Sequence, residues 1–447
     1  MGILQKIYYF IKVWGVVAVV PEKYNTIRFA SYTKKVAANT SNIPAQQGIA
    51  LISVLVTMSV IATVSASLTY TQYVDIERTR KLLQYDYGWS SVLSLENLAK
   101  SALMLDKKLN QYDGMKDKWL EFNNIPVGID NSVISINLQD LQGSFNINNL
   151  SSTGNFFKVY RLQWVALLQK FISDLIDISD DNNDQTIDYR QFDINIARDS
   201  VIDWIDIENQ ELSNGAEESF YASNGFGEYQ VANATLLYPY ELAMIRGFAD
   251  AVGKNMLEKL TTLTDIGDTQ QQNEDNAQNI SSTSNTPTLV ALPISTKLNI
   301  NFAKLDVLQS LLYSAAVLQS ALDKQGKDDT QDVQTMHHLD INSGYIYNDQ
   351  LEYIGLANLV IQDREGNPNQ AFQDLSAFYS SLERYDFQVE RREGFWQDAL
   401  SEFVGIATNF FMLDSKTTLG DSVFLGRSLL YRTKAEVKVI YRSLLLE

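Results

Sequence analysis

The chain has 447 residues, of which 45% are hydrophobic, and this is enough to bury a sizeable core in two or three domains. It has no cysteine, which excludes disulfides, thiolate metal sites and thiol catalysis. The histidines, His337 and His338, are adjacent and do not face one site, so a histidine zinc centre is not expected. The net charge of −18 excludes nucleic acid as an expected partner, because phosphate contacts need clustered lysine and arginine.

The charge is distributed unevenly along the chain. Residues 1–48 hold six basic side chains and one acid, a balance of +5, so the 30 bases and 53 acids that remain give −23. Between these parts, the run from Ile49 to Tyr70 has no acidic or basic side chain, and as a helix it spans roughly 33 Å, enough to cross a bilayer. A basic start, an apolar span and an acidic body predict a single-pass protein with its body on the far side of the membrane.

The start of the apolar run predicts a processing site. The run opens abruptly after glycine, in Gln46-Gln47-Gly48-Ile49, and it is longer than the apolar core of an ordinary secretory signal. This pattern is typical of a prepilin peptidase site between Gly48 and Ile49, and it predicts that residues 1–48 are removed as a leader. A start codon assigned too early is the alternative explanation of so long a leader.

After the apolar run, the sequence predicts a continued helix and then a strand. Apolar residues recur at helical spacing from Gln72 to Asn110, without proline, and Gly88 is the weak point at which a break is the alternative to one long helix. Residues 132–138 alternate polar and apolar side chains as a strand does.

The middle of the chain has mainly helical patterns. Helices are predicted at 157–178, at 197–205 after an acidic loop, and within 236–263, whereas 264–288 is polar, low in complexity and expected to be a disordered linker or long loop. The segment Leu298-Asn299-Ile300-Asn301 echoes Phe145-Asn146-Ile147-Asn148, and both precede a helical pattern.

The end of the chain has the pattern of three antiparallel strands. They are predicted at 409–418, 422–433 and 435–444, with tight turns around Gly420-Asp421 and Thr433-Lys434. A long N-terminal helix, a C-terminal antiparallel sheet and a helical insertion together predict an α+β fold.

These segments, in this order, resemble the minor pseudopilin K family of the type II secretion system (general secretion pathway protein K). The resemblance covers nearly all of the chain after Gly48. It rests on Gly48-Ile49-Ala50-Leu51-Ile52, Asp140-Leu141-Gln142-Gly143-Ser144-Phe145-Asn146-Ile147-Asn148-Asn149-Leu150, Asp203-Trp204-Ile205-Asp206-Ile207, Gly215-Ala216-Glu217-Glu218-Ser219-Phe220-Tyr221, Arg246-Gly247-Phe248, Leu298-Asn299-Ile300-Asn301-Phe302-Ala303 and Ser428-Leu429-Leu430-Tyr431-Arg432.

The resemblance implies a pilin-like long N-terminal helix packed on an antiparallel sheet, with a large inserted α-helical domain. It implies a leader at 1–48, a membrane and pilin helix with the first strands at 49–150, an inserted helical domain at 151–330, and the rest of that domain with the C-terminal strands at 331–447. It also implies cleavage by prepilin peptidase, N-methylation of Ile49, anchorage in the inner membrane with most of the chain in the periplasm, and a place at the tip of the pseudopilus with minor pseudopilins I and J.

The fifth residue after the predicted cleavage site supports a place at the tip. The membrane helix is expected to use Ile49, Leu51, Ile52, Ser53 and Leu55, and Ser53 stands where major pilins of the family carry a glutamate that pairs with the N-terminal amine of a neighbour. An unpaired carboxylate in a bilayer costs on the order of a few kcal/mol, so a subunit with nothing above it gains by losing that charge. The alternative is that any single-span anchor lacks a glutamate there.

Two acidic segments are candidate calcium sites. The loop from Asp180 to Phe192 nearly fits an EF-hand, with Asp180, Asp184 and Asp188 at ligand positions one, five and nine, although Gln185 and Gln191 replace the expected glycine and glutamate. The second segment holds Asp206, Glu208, Glu217 and Glu218, and the resemblance implies calcium in this inserted domain. The calcium would be structural, and the alternative for each segment is a solvated acidic loop.

The chain has no Gly-x-Ser-x-Gly, His-Glu-x-x-His, Walker or dinucleotide-binding motif, so it is not expected to be an enzyme. The expected function is therefore that of a structural minor pseudopilin that supports protein export across the outer membrane. The alternative is a membrane-anchored, calcium-binding periplasmic protein unrelated to secretion. The exported substrates and the true start codon are not determined by the sequence.

Overall fold

The computed structural model describes residues 46–123, 127–129, 132–152, 157–182, 188–223, 230–261, 287–325, 345–385, 400–419 and 422–446. The predicted leader up to residue 45, nearly all of the predicted linker at 264–288, both histidines and the turn at Gly420-Asp421 lie outside the described residues. The chain divides into two compact units, Met1–Arg78 and Thr79–Glu447.

The first described element is one uninterrupted helix, α1, from Gln46 to Leu109. Its 64 residues give a length of about 96 Å at 1.5 Å per residue. The break considered at Gly88 does not occur. Gly88 is instead a close contact, because a Cβ atom added there would lie 2.4 Å from the ring of Phe424.

The second unit contains a five-stranded antiparallel sheet in the order β1-β2-β7-β8-β9. The strands are β1 (Val127–Ile129), β2 (Ser132–Asp140), β7 (Phe410–Leu419), β8 (Ser422–Arg432) and β9 (Val437–Leu446). Strand β2 pairs with β7 from Ser132 opposite Leu419 to Asp140 opposite Phe411. Residues 141–409 are therefore inserted between two neighbouring strands, which confirms the α+β plan with a large insertion.

The part of α1 within the second unit packs along strand β8 in a regular line of contacts. Alternate residues of the strand are 6.6–6.8 Å apart and residues i and i+4 of a helix about 6 Å apart, so the two elements stay in step for several turns. The successive pairs are Phe424 with Gly88, Gly426 with Val92, Ser428 with Glu96 and Arg432 with Asp106, and Leu430 lies in one hydrophobic cluster with Ala99 and Leu103. Small, polar, apolar and charged contacts follow one another, and together they fix the register of helix and strand.

Glu96 is the charged residue in the middle of this line, and it is buried. Arg442 of β9 forms a two-point ion pair with it, at 2.7 and 2.8 Å, and Lys100 contacts it at 2.8 Å. Burial raises the pKa of Glu96, but the hydrogen bonds and charges of Arg442 and Lys100 outweigh burial and lower the pKa overall. The carboxylate therefore stays ionised beneath the sheet.

The inserted region is mainly helical, as expected. Its α-helices are α2 (Phe157–Asn182), α3 (Ile194–Ile205), α4 (Glu218–Ser223), α5 (Ala251–Thr261), α6 (Leu305–Gln325), α7 (Tyr345–Gly366) and α8 (Leu375–Arg384). Short 3₁₀ helices lie at Lys118–Phe122, Ile147–Ser151, Tyr189–Gln191, Pro239–Met244 and Pro368–Gln370. The stretch predicted as one helix within 236–263 is divided into Pro239–Met244 and α5, and a glycine with positive φ, Gly247, lies between them.

The two Asn-Ile-Asn segments perform the same structural task in the inserted domain. Asn148 donates to the carbonyl of Leu236 and accepts from its N–H, both at 2.8 Å. Asn301 does the same with Phe372, at 3.0 and 2.8 Å. Each amide side chain thus pairs with a buried backbone group as a neighbouring strand would. The similarity between the two segments in the sequence therefore corresponds to the same pair of hydrogen bonds in the structure.

These segments also begin with short parallel strand pairs. Strand β3 (Phe145–Asn146) pairs with β4 (Leu289–Val290), and β5 (Leu298–Asn299) pairs with β6 (Val404–Gly405). The following helices α2 and α6 pack against each other and contribute Trp164, Leu168, Leu308 and Leu311 to the main hydrophobic core.

The contact at Gly88 allows a test of the packing of α1 on the sheet. An alanine normally stabilises a helix by about 1 kcal/mol relative to glycine. Gly88→Ala is expected instead to destabilise the protein by roughly 1–3 kcal/mol, because its methyl group meets the buried ring of Phe424.

Gly355→Ala is the matched control, since Gly355 is exposed in α7 with no atom within 4 Å of an added Cβ. This variant is expected to gain up to about 1 kcal/mol. Urea unfolding of both variants in detergent measures the difference, and equal stabilisation of the two would contradict the packing described.

Candidate functional site

The N-terminal part of α1 is an exposed apolar surface. Ile49 is 69% exposed, and the apolar residues that follow it as far as Leu68 are all more than half exposed. The helix from Ile49 onward is long and apolar enough to cross a membrane. Exposure of so much apolar surface to water is unfavourable, and contact with lipid would remove it from water.

The hydroxyl groups within the apolar run are satisfied by the helix itself. Ser53 donates to the carbonyl of Ala50 at 2.9 Å, and Thr57 donates to the carbonyl of Ser53 at 3.0 Å. Ser59, Thr63 and Thr69 bond to their own helix in the same way. The segment therefore presents no unpaired hydroxyl to lipid at these positions. The predicted cleavage residues Gly48 and Ile49 lie at the beginning of this helix, which starts at Gln46.

The second predicted calcium set surrounds the end of α3 and the start of α4. Asp206 ends α3, Glu217 is buried just before α4, and Glu208 and Glu218 are exposed. Asp206 Oδ1 and Glu217 Oε1 are buried acceptors without a hydrogen-bond partner within the described structure. Burial raises the pKa of Glu217, and the nearby charge of Asp206 raises it further. Two of the four acids thus have an oxygen without a donor, but within the described residues no three of the four bring their carboxylate oxygens within 4.8 Å of one another.

Asp203, one turn before Asp206, fixes the loop beside this region and was not selected from the sequence as a site residue. It is fully buried and accepts the N–H of Leu212 at 3.2 Å. Gly215 lies against it so closely that a Cβ atom there would be 1.8 Å from Asp203 Oδ2. Burial raises the pKa of Asp203 to about 7, and the charges of Glu217 and Asp206 act in the same direction.

The first predicted calcium loop is described only in part. Asp180 lies in the last turn of α2, and Asp184 lies outside the described residues. Asp188 caps the 3₁₀ helix Tyr189–Gln191 by accepting the N–H of Arg190 at 3.1 Å. The flanking helices have the order expected of an EF-hand, and the ligand set stays a prediction.

A third acidic cluster, absent from the sequence-based predictions, lies beneath the sheet. Within the described residues, Asp106, Asp113 and Asp117 are the trio of acids whose ligand oxygens all lie within 4.8 Å of one another, and all three are buried. Arg432 of β8, which is 1% exposed, contacts Asp106 at 3.2 Å and forms a close ion pair with Asp113.

The cluster holds more negative charge than Arg432 neutralises. Burial raises the pKa of Asp106 to about 7, and the charges of Asp117 and Asp113 raise it against the opposing charge of Arg432. Burial also raises the pKa of Asp117 to about 6, although the N–H of Gly114 bonds to it at 2.7 Å. The three acids lie close together in the sequence, but Arg432 is 326 positions from Asp106, so no local pattern could have indicated that they are buried around this arginine.

The raised pKa of Asp203 predicts a pH dependence of stability in EDTA. Below its ordinary value of 3.8 the carboxyl is protonated in both the folded and the unfolded chain. Between 3.8 and about 7 only the unfolded chain releases the proton, so this contribution to stability is lost as pH rises. Asp203→Asn is therefore expected to gain in melting temperature relative to wild type between about pH 4 and about pH 8.

Asp374→Asn is the control for this measurement. The pKa of exposed Asp374 is lowered by hydrogen bonds from the Ser376 hydroxyl and the Ala377 N–H, so its contribution is lost only as pH falls below the ordinary range. Its difference from wild type is expected to stay constant from about pH 4 to about pH 8. A constant difference for Asp203→Asn as well would show that the Asp203 pKa is not raised.

Comparison with known proteins finds similarity in sequence to a curated protein and in fold to chains of solved structures. No family model matches the chain. It is 25% identical over 221 residues to "Putative type II secretion system protein K" of Escherichia coli K12, which covers 49% of this chain and 63% of that protein. The chain thus spans less than two thirds of the length of this relative.

The fold comparison covers more of the chain. A chain of the crystal structure of the GspK-GspI-GspJ complex from the enterotoxigenic Escherichia coli type 2 secretion system superposes with a TM-score of 0.53 and 17% sequence identity. The match covers 82% of this chain and 99% of that chain, so the two chains share their fold over most of this chain. Sequence similarity and fold thus agree, and the chain shares its fold with a chain of the GspK-GspI-GspJ complex.

Proposed function

We propose that the chain is a structural minor pseudopilin that sits at the tip of a type II secretion pseudopilus and supports protein export across the outer membrane. The fold shared with a chain of the GspK-GspI-GspJ complex carries this proposal. The sequence similarity to type II secretion protein K supports it independently. The function is assembly and not catalysis, which agrees with the lack of a catalytic sequence motif.

The insertion suits a subunit at the end of a fibre. The sheet carries residues 141–409 between β2 and β7, so most of the chain after α1 is added to the pilin-like frame. Such a bulk is compatible with the end of a helical stack and obstructs the addition of a further subunit above it. Ser53 agrees with this place, because its hydroxyl is satisfied by Ala50 and it brings no charge that needs a neighbour.

The apolar start of α1 is the proposed inner-membrane anchor. Prepilin peptidase cleaves the Gly48–Ile49 bond, Ile49 becomes the N-methylated first residue, and the acidic body lies in the periplasm. The helix then leaves the bilayer and packs among pseudopilins I and J. The exposed apolar residues from Ile49 to Leu68 support this arrangement, because the same apolar surface can contact lipid in the membrane and neighbouring helices in the fibre.

Cleavage at Gly48 is the sharpest test of this function. Mass spectrometry of the N-terminus is expected to show a chain beginning at methylated Ile49 when prepilin peptidase is co-expressed, and an intact leader when it is not. Gly48→Leu is expected to abolish cleavage because a side chain at this position blocks close approach of the peptidase to the bond. Gln47→Ala is the control and is expected to be processed normally.

The same preparations separate the proposal from the alternative of a calcium-binding membrane protein unrelated to secretion. The processed chain is expected to co-purify with pseudopilins I and J, and the Gly48→Leu chain to do so poorly. An uncleaved wild-type chain in the presence of the peptidase, or cleavage elsewhere, would contradict the pseudopilin function.

Calcium in the inserted domain is the second part of the proposal. Asp206, Glu208, Glu217 and Glu218 hold a structural ion that fastens the loop between α3 and α4, a task that falls to a disulfide in other proteins. The buried acceptors of Asp206 and Glu217 support it, because each lacks a donor that a cation replaces. Asp180, Asp184 and Asp188 are the proposed ligands of a further ion in the first loop.

Removal of these ligands is expected to weaken the response of the protein to calcium. The wild-type chain in detergent melts at a higher temperature with calcium than with EDTA, and Asp206→Asn with Glu217→Gln reduces this difference. Glu436→Gln, which removes one exposed carboxylate in the hairpin of the sheet, leaves it unchanged. Equal melting temperatures of wild type in calcium and EDTA would eliminate structural calcium from the domain.

A further inference from the structure

The buried acidic cluster of Asp106, Asp113 and Asp117 lies where three parts of the second unit meet. Asp106 is in the last turn of α1, Asp113 is in the loop that follows, and Asp117 precedes the 3₁₀ helix Lys118–Phe122. Arg432 reaches the cluster from the end of β8. The cluster is distant in sequence from the acids of the inserted domain, and the proposed function does not use it.

The charges of the cluster do not balance. Three buried carboxylates face one guanidinium, so the group carries a net charge of −2 when all are ionised. A buried charge without a partner is costly. One divalent cation would neutralise the group.

The hydrogen bonds show that Arg432 cannot complete the cluster. Its guanidinium is committed to Asp106 Oδ2, Asp113 Oδ2 and the carbonyl of Thr408, which it contacts at 2.7 Å. Asp113 Oδ1 has no hydrogen-bond partner within the described residues, although the side chain is 99% buried, and Asn110 Oδ1 is a second buried acceptor in the same state. Buried acceptors without a donor are rare, and each costs about 1–3 kcal/mol.

We propose that Asp106, Asp113 and Asp117 bind one calcium ion in the pilin-like part of the chain, with the amide oxygen of Asn110 as a further ligand. The available ligands are all oxygens of short side chains, and carboxylate with amide oxygen is the set that a hard divalent cation prefers. Asn110 lies beside the cluster, because its Nδ2 donates to Asp117 Oδ1 at 3.2 Å, and its Oδ1 has no hydrogen-bond partner within the described residues. Arg432 then acts as the neighbour that holds two of the carboxylates in position.

The ion would fasten the junction at which the chain returns from the inserted domain to the sheet. The N–H of Asp113 bonds to the carbonyl of Ile406 at 2.8 Å, and the N–H of Thr408 bonds to Asp113 Oδ2 at 2.7 Å. On the other side of the loop, Asn369 donates to the Tyr112 hydroxyl at 2.7 Å. Calcium at Asp113 would thus couple the end of α1 to the segment that leads into β7.

Asp117→Asn is the variant that tests the site, because Asp117 has no contact with Arg432 and its loss leaves both ion pairs intact. In EDTA the variant is expected to be as stable as wild type or more stable, since it reduces the repulsion among the acids. In calcium it is expected to be less stable than wild type and to bind one ion fewer per chain. The measurements are melting temperature and bound calcium after equilibrium dialysis of the full chain in detergent.

Two controls separate this site from the inserted domain and from a change of charge alone. Asp206→Asn with Glu217→Gln, which addresses the ion of the inserted domain, is expected to keep the separate ion that Asp117→Asn loses, and Glu436→Gln is expected to bind as many ions as wild type. Asp113→Asn is a second variant, expected to lose the same ion. Its own effect in EDTA is larger because it also breaks the pair with Arg432.

Terbium luminescence provides a second readout of the same site. Terbium replaces calcium among oxygen ligands and is excited by a nearby indole, and Trp119 lies two residues after Asp117 with its side chain buried. Asp117→Asn is expected to lose a share of the sensitised emission. The proposal is overturned if Asp117→Asn binds as many calcium ions as wild type, if it loses equal stability in EDTA and in calcium, or if magnesium at equal concentration gives the full effect.

Discussion

The line of contacts between α1 and strand β8 is the constraint on which the second unit depends. Alternate residues of β8 meet the helix about one turn further along each time, from Phe424 on Gly88 to Arg432 beside Asp106. The match works because a two-residue step along a strand and a four-residue step along a helix are nearly equal in length. It also sets the residue sizes, since a glycine must stand where a ring approaches the helix backbone and a serine where a buried glutamate needs a donor.

The sheet also holds the two ends of the inserted domain. Strand β2 ends at Asp140 and strand β7 begins at Phe410, so 269 residues lie between two strands that pair with each other. Their pairing brings the two ends of the insertion together. Asp140 and Thr408 are hydrogen-bonded at this point, and burial raises the pKa of Asp140 to about 7. The acids around Arg432 lie at the same junction, so the place where the two parts of the fold join is also where buried charge is concentrated.

Inside the insertion, the same polar device is used twice. Asn148 and Asn301 each bind both backbone groups of a distant residue, and each lies between a two-residue parallel strand pair and a helix of the core. An asparagine amide can replace a strand because it offers a donor and an acceptor in the geometry of a peptide group. The backbone beside the two-residue strands thereby finds hydrogen-bond partners without a longer sheet. Most of the described insertion is helical.

The sequence by itself determined the features that have a local period or a local composition. The apolar run after Gly48, the α1 helix, the helix α2 and the three C-terminal strands were predicted within a few residues, because helical and strand periodicity are properties of neighbouring residues. The ordered motifs also indicated the family resemblance. Tertiary structure alone decided the continuity of α1 at Gly88, the division of the 236–263 stretch, and the joining of Asp106, Asp113, Asp117 and Arg432. These depend on residues that are up to 326 positions apart, and the energy of a buried charge or a close glycine contact is set by what lies across the core and not by the residues beside it in sequence.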